Sequence, residues 1–194
     1  MIIDISSYNG TIDFDTLIRE NDIERVIMRS TLKTGAPDSA LSANISRLRK
    51  ADTLIPIDFY KFTYARNYAD AVLEATDLLY TLKSMLLLNI PEFIYLDIEP
   101  VNGKAHTAKE IAEIIAGYLS VFERYEIPLG IYCSYSYLVN MPVWSRELSF
   151  WVARWNSTLG DIYEFDGFDV KMWQYSDKGN IAGINGPVDL SRYV

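Results

Sequence analysis

The chain carries a single cysteine, Cys133, and a single histidine, His106. One thiol excludes an intramolecular disulfide framework. One imidazole argues against a histidine-rich metal site and against a Ser-His-Asp triad. A Cys133–His106 nucleophilic pair stays open on composition, although lone cysteines ordinarily pack in cores as small hydrophobes. No run of residues is long and apolar enough to span a membrane as a helix, so stable membrane insertion is not expected. Basic residues are outnumbered, 18 against 26 acids, for a net charge of −8. A nucleic-acid partner needs clustered Lys and Arg to neutralise phosphates and is not expected here. The densest basic cluster, Arg47-Leu48-Arg49-Lys50, reads as one solvated helix face. No glycine-rich phosphate loop follows the first strand, since Ser6-Ser7-Tyr8-Asn9-Gly10 lacks the G-x-G-x-x-G spacing of dinucleotide-binding folds. No Pro/Gly-rich linker, low-complexity tract or internal repeat divides the chain, so residues 1–194 read as a single domain. Met1-Ile2-Ile3-Asp4 enters a strand with no charged region before it, and no signal peptide is expected.

Aromatic residues are plentiful: 14 tyrosines and 4 tryptophans are many for this length, and core filling covers most of them. Rings with an apolar face and a polar tip also suit the wall of a sugar groove. Strand-like and helix-like stretches alternate from the start. Ile2–Ser6, Arg25–Thr31, Ile55–Phe62, Phe93–Glu99 and Leu129–Ser134 read as strands. Between them, Asp13 caps a helix reaching about Asn21, and Leu41, Ile45 and Leu48 recur at helical spacing. Tyr68 to about Met85 carries an apolar stripe, and Thr107-Ala108-Lys109-Glu110 is a capping box ahead of Ile111, Ile114, Ile115 and Tyr118. Phe150–Trp155, Asp169–Ser176 and Val188–Tyr193 complete eight strands and read as a β-meander, with Gly179–Gly186 as a hairpin turn region. The pattern points to an α/β fold, a TIM-like β/α barrel whose last helices are lost or shortened, with an open doubly wound sheet as the alternative.

Within Phe93–Glu99, strand alternation puts Tyr95, Asp97 and Glu99 on one face and apolar Leu96 and Ile98 on the other. Two acids on one face of a hydrophobic strand are costly unless they meet solvent, partners or substrate. The C-terminal end of a barrel strand is where such residues act. Asp4 in the first strand and Asp189 in the last would lie beside each other if the barrel closes. A cluster of four carboxylates raises the pKa of at least one member, as a general acid working near neutral pH requires. Tyr60, Tyr132, Trp151, Trp155 and Trp173 stand in other strands where they can wall a sugar groove.

The whole chain resembles the glycoside hydrolase family 25 lysozymes. The resemblance rests on Ile3-Asp4-Ile5-Ser6-Ser7-Tyr8-Asn9-Gly10, Val26-Ile27-Met28-Arg29, Phe59-Tyr60-Lys61-Phe62, Tyr95-Leu96-Asp97-Ile98-Glu99, Gly130-Ile131-Tyr132, Trp151-Val152-Ala153-Arg154-Trp155, Trp173-Gln174-Tyr175-Ser176 and Gly183-Ile184-Asn185-Gly186-Pro187-Val188-Asp189. It implies a modified barrel of eight strands and about five helices. It also implies cleavage of the β-1,4 bond between N-acetylmuramic acid and N-acetylglucosamine, with no cofactor and no metal. By resemblance Glu99 is the general acid, Asp97 stabilises the transition state or orients the substrate's N-acetyl group, and Asp4 and Asp189 shape the field. Tyr60, Phe62, Tyr132, Trp151, Trp155 and Trp173 are the expected substrate-binding residues. The expected partner is the glycan strand of bacterial peptidoglycan, met by a monomer that reaches the wall through phage-type lysis or another non-classical route.

Three positions depart from the family pattern: Asn9 stands where Gln is frequent, Asp58 where a small residue is usual, and Lys61 where an aromatic or His is common. An ion pair between Asp58 and Arg29 of the neighbouring strand is the expected consequence of the second. The mechanism is open on sequence. Direct displacement by a carboxylate needs about 5–5.5 Å between the acids, and inversion needs a wider gap for water. A 2-acetamido group permits a third route, which is the expectation. A chitinase-like hydrolase and a non-catalytic glycan-binding barrel are the competing readings.

Overall fold

A computed structural model describes residues 1–85, 91–141, 148–155, 165 and 167–194. Among them, eight strands close into a barrel in sequence order: β1 (Ile2–Ile5), β2 (Arg25–Arg29), β3 (Ile57–Phe62), β4 (Ile94–Asp97), β5 (Leu129–Ser134), β6 (Ser149–Ala153), β7 (Asp169–Gly179) and β8 (Val188–Tyr193). Strands β1 to β7 run parallel, and β8 closes the barrel antiparallel to both β7 and β1. Five α-helices are described: α1 (Phe14–Glu20), α2 (Leu41–Ala51), α3 (Tyr68–Ser84), α4 (Ala108–Phe122) and α5 (Tyr135–Asn140). The barrel expectation therefore holds and the open sheet does not. The meander expected for the last three strands is half right. The pair β7–β8 is an antiparallel hairpin, but β6 and β7 are parallel, because the connection between them is long enough for a crossover.

The alternation of side chains sorts the apolar residues into two layers. Ile3, Val26, Ile57, Leu96, Ile131 and Val152 point outward into the core shared with the helices. Ile2, Ile27, Tyr95, Tyr132, Trp151, Ala153 and Met172 fill the barrel interior. Helix starts follow their caps: the Asp13 side chain accepts from Thr16 N at 3.1 Å, Asn67 from Asp70 N at 2.9 Å, and Thr107 and Glu110 form the reciprocal capping box. Helices α3 and α4 touch closely at Gly117, where a Cβ would lie 2.6 Å from that of Ala71. Inside the barrel Gly130 makes room for the Tyr95 ring, 2.5 Å from where its Cβ would be.

An ion cluster built on buried Arg25 and Asp58 closes the barrel at the end away from the acids. Arg25 pairs with Asp58 and Glu92 and donates to the Tyr193 hydroxyl at 2.7 Å. The other oxygen of Asp58 accepts from the backbone N–H groups of Glu92 and Phe93, at 2.9 and 3.1 Å. This corrects the expected Asp58–Arg29 pair. Arg29 sits opposite Tyr60, one inward step nearer the mouth, and Asp38 and Ser7 hold it there at 2.7 and 2.8 Å. Asp58 lies opposite Ile27 and takes the arginine one step below. Burial raises its pKa even so, with Arg25 and the two N–H groups opposing.

Candidate active site

The parallel strands open at their C-terminal ends into a cleft of about 520 Å³, lined by Asp4, Asp97, Glu99 and Asp189 among others. Asp4 and Asp189 face each other directly across the β1–β8 ladder. Asp97 ends β4, pointing inward from the last rung, with Ile98 N still donating to Tyr132 O at 2.9 Å. Glu99 lies beyond that rung, outside the strand that sequence alternation extends to it, and is half-buried at the mouth while Asp97 is buried beneath. The four acids expected from β1, β4 and β8 are therefore together.

Their proximity and burial perturb all four in one direction. Desolvation pushes the Asp4 carboxyl well above its ordinary range, and Asp189 adds to this. Asp97 is likewise raised by desolvation, then by Glu99 and Asp4, with Lys61 opposing. Burial and then Asp189 raise Glu99, and burial raises Asp189. Each group thus holds its proton to higher pH than it would in water. Asp97 has one further property: its Oδ1 is buried without a hydrogen-bond partner among the described residues. A buried carboxylate oxygen in that state calls for a donor.

The aromatic lining is stacked in depth. Trp151 is buried at the base, where Nε1 donates to Ser191 Oγ at 3.0 Å, and Tyr132 packs on it at 4.5 Å between ring centroids. Tyr60 meets the same indole edge-on at 6.5 Å, and Phe62 lines the cleft farther along β3. Trp155 is not among the lining residues; it stands just past β6, 44% exposed, and joins the cleft wall through Nε1, which donates to Gln174 Oε1 at 3.1 Å. Trp173 needs correction. It does not line the cleft; it faces outward beside Val152, donates to the Arg154 carbonyl at 2.8 Å, and stacks under the Arg192 guanidinium.

The residue that takes its place is Gln174, absent from the sequence-based candidates. Buried in the cleft wall, it donates from Nε2 to Asp4 Oδ2 at 3.0 Å and accepts at Oε1 from the Tyr132 hydroxyl at 2.9 Å. Tyr8, Arg29, Lys33 and Tyr64 also line the cleft. Tyr8 is 88% exposed and carries the Arg29 guanidinium 4.6 Å above its ring. Cys133 faces the outer core, where burial pushes its thiol up, so it has no nucleophilic character. His106 is buried, with neither ring nitrogen hydrogen-bonded among the described residues. Among those residues no group of three or more His, Cys, Asp and Glu side chains is arranged to hold a metal ion.

Known proteins resemble this chain in sequence and, separately, in fold. The autolytic lysozyme of Clostridium acetobutylicum is 26% identical over 98% of this chain and 55% of its own length. The uncharacterized protein YegX of Escherichia coli is 33% identical over 50% of this chain and 34% of its own. The chain thus spans about a third to a half of the length of these curated relatives. Among solved structures, the modular autolysin LytC of Streptococcus pneumoniae, in complex with a synthetic peptidoglycan ligand, superimposes with a TM-score of 0.85. Its identity is 29%, over 98% of this chain and 45% of that one. A bacterial lysozyme from Streptomyces coelicolor shares the fold, at a TM-score of 0.76 and 22% identity over 98% of this chain and 90% of its own. The family model for glycosyl hydrolases family 25 matches residues 3–184, a span that begins at the first strand and takes in Asp4, Asp97, Glu99 and Gln174. The chain belongs to glycosyl hydrolases family 25.

Proposed function

We propose that the chain is a lysozyme that cleaves the β-1,4 bond between N-acetylmuramic acid and N-acetylglucosamine in peptidoglycan, with Glu99 as the general acid. The observation that carries this reading is the set of four converging carboxyl groups, all held above their ordinary pKa, at the mouth of an aromatic-lined barrel. Glu99, just past the end of β4, is nearer solvent than Asp97 and retains its proton to higher pH, which suits it to protonate the departing glycosidic oxygen. Asp97 lies beneath it with an unpartnered Oδ1, the acceptor that an acetamido N–H requires. Acceptance of that hydrogen bond turns the acetamido carbonyl oxygen towards the anomeric carbon.

The reaction then runs with retention. The Glu99 proton passes to the leaving oxygen as the carbon–oxygen bond breaks, and the acetamido oxygen bonds to the same carbon. Water opens the resulting ring, returns its proton to Glu99 and restores the acetamido group. Asp97 faces the positive charge on the acetamido nitrogen, while Asp4 and Asp189 set the field around it. Tyr60, Phe62, Tyr132, Trp151 and Trp155 hold the sugars. On this reading residues 1–194 act as one catalytic barrel, a monomer working on the bacterial wall. The lysozyme and autolysin relatives support the substrate class.

Dye release from labelled peptidoglycan tests the assignment. Glu99→Gln should lower the rate by about 10²–10⁴-fold, the usual worth of a positioned general acid. Equal rates for the two proteins would remove Glu99 from that role, and equal inactivity would favour a glycan-binding barrel.

A further inference from the structure

The charges lining the cleft are divided in space. Asp4, Asp97 and Asp189 come from β1, β4 and β8 and Glu99 from just past β4, whereas Arg29 and Lys33 come from β2 and the segment after it. Lys61 of β3 backs the same side, buried to 1% exposure, with Nζ donating to the carbonyls of Leu32 and Phe62 at 3.3 and 2.8 Å. Arg29 is engaged by Asp38. Lys33 is exposed and has no carboxylate partner among the described residues. Its Nζ stands 5.3 Å from the centroid of the Tyr64 ring, and the Lys61 Nζ stands 5.2 Å from that same centroid. Phe62 packs against Tyr64 at 4.9 Å and fixes the ring. An ammonium is thus held over a braced aromatic face on the cleft wall, reinforced by a second cation behind it.

We infer that Lys33, on its Tyr64 platform, forms a subsite for a carboxylate carried by the glycan substrate. The inference rests on the proposed peptidoglycan reading, since neutral glycans would gain nothing from the charge. In a protein of net charge −8 with four acids in its cleft, an anionic substituent is repelled almost everywhere. The Lys33 arm is where the lining inverts that field. A muramyl unit can present a carboxylate there in two ways: from its stem peptide, or from its own lactyl group where the peptide is missing.

Co-sedimentation with insoluble peptidoglycan tests this, using Glu99→Gln as the carrier so that the polymer stays intact. Adding Lys33→Met should weaken binding by about two- to fivefold, and Lys33→Glu by about five- to thirtyfold, as expected for one exposed charge lost or reversed. Lys33→Arg should restore it, and salt near 1 M should erase the differences. On peptidoglycan whose carboxylates have been converted to amides, all four proteins should bind alike. A Lys33 effect that survives removal of the stem peptides assigns the lactyl carboxylate; one that disappears assigns the stem. Equal binding of Lys33→Glu and its parent to native peptidoglycan would overturn the subsite, as would an undiminished penalty on the amidated polymer. If wild-type protein hydrolyses nothing while the charge-dependent binding persists, the lysozyme reading fails and the subsite stands.

Discussion

Gln174 is the structural hinge between the acids and the aromatic wall, and replacing it has a calculable cost. Gln174→Leu removes the donor to Asp4 Oδ2 and the acceptor that Tyr132 and Trp155 share. Trp155 is 44% exposed, so its N–H can turn to water. The Tyr132 hydroxyl and the Asp4 carboxyl are buried and lose a partner each. A buried polar group left unpaired costs about 1–3 kcal/mol, so the pair should cost roughly 2–6 kcal/mol. For a chain of this size that lowers Tm by roughly 4–24 °C in a thermal unfolding scan near neutral pH. Gln174→Glu supplies an internal control: it keeps the shape and the acceptor but turns a carboxylate towards Asp4. Among four other acids the new carboxyl has a raised folded-state pKa. Its stability is therefore complete below the unfolded value of about 4.3 and lost as pH rises through the folded value. The Tm deficit of this variant should be large near pH 7 and shrink towards about pH 4, where the protonated acid donates as the amide did. A Leu variant within about 2 °C of wild type, or a Glu variant whose deficit is flat with pH, would refute the reasoning.

The perturbed acids carry the same linkage themselves. Asp4 has a folded pKa above its unfolded one, so its contribution is complete below about pH 3.9 and lost as pH rises. Asp4→Asn should raise Tm near neutral pH, by an equivalent of about 0.5–2 kcal/mol, while lowering the rate of peptidoglycan hydrolysis; scans from pH 4 to pH 7 check that the gain closes at the acid end. At the opposite end of the barrel, Asp58→Ala leaves Arg25 without its buried carboxylate, along with the N–H groups of Glu92 and Phe93. Urea unfolding should report a loss of about 3–5 kcal/mol, with the activity per folded molecule preserved at low temperature.

The barrel was legible because the alternation and the caps are strong local signals. Leu96 and Ile98 against Tyr95 and Asp97 fixed the inward face of β4, and the Thr107 capping box fixed the start of α4. The four acids followed from that inward face and from closure of β8 on β1. What escaped depends on register across strands. A shift between Phe150 and Trp151 pairs Trp151 with Met172, so Met172 and Gln174 point inward. That one irregularity turns Trp173 out of the cleft and brings Gln174 in. The choice of Arg25 over Arg29 by Asp58 escaped for a related reason: Asp38, which occupies Arg29, reaches it from a loop that no periodicity describes. Tyr64 and Lys33 likewise lie past the ends of β3 and β2, where alternation no longer says which way a side chain points.

The most direct test of the central claim is mass spectrometry of the fragments released from purified peptidoglycan by the wild-type protein. Products with N-acetylmuramic acid at the reducing end are the predicted result, since in the proposed reaction that sugar supplies the anomeric carbon on which Glu99 and Asp97 act. N-acetylglucosamine at the reducing end would contradict the account, because the cleft would then be cutting the other bond.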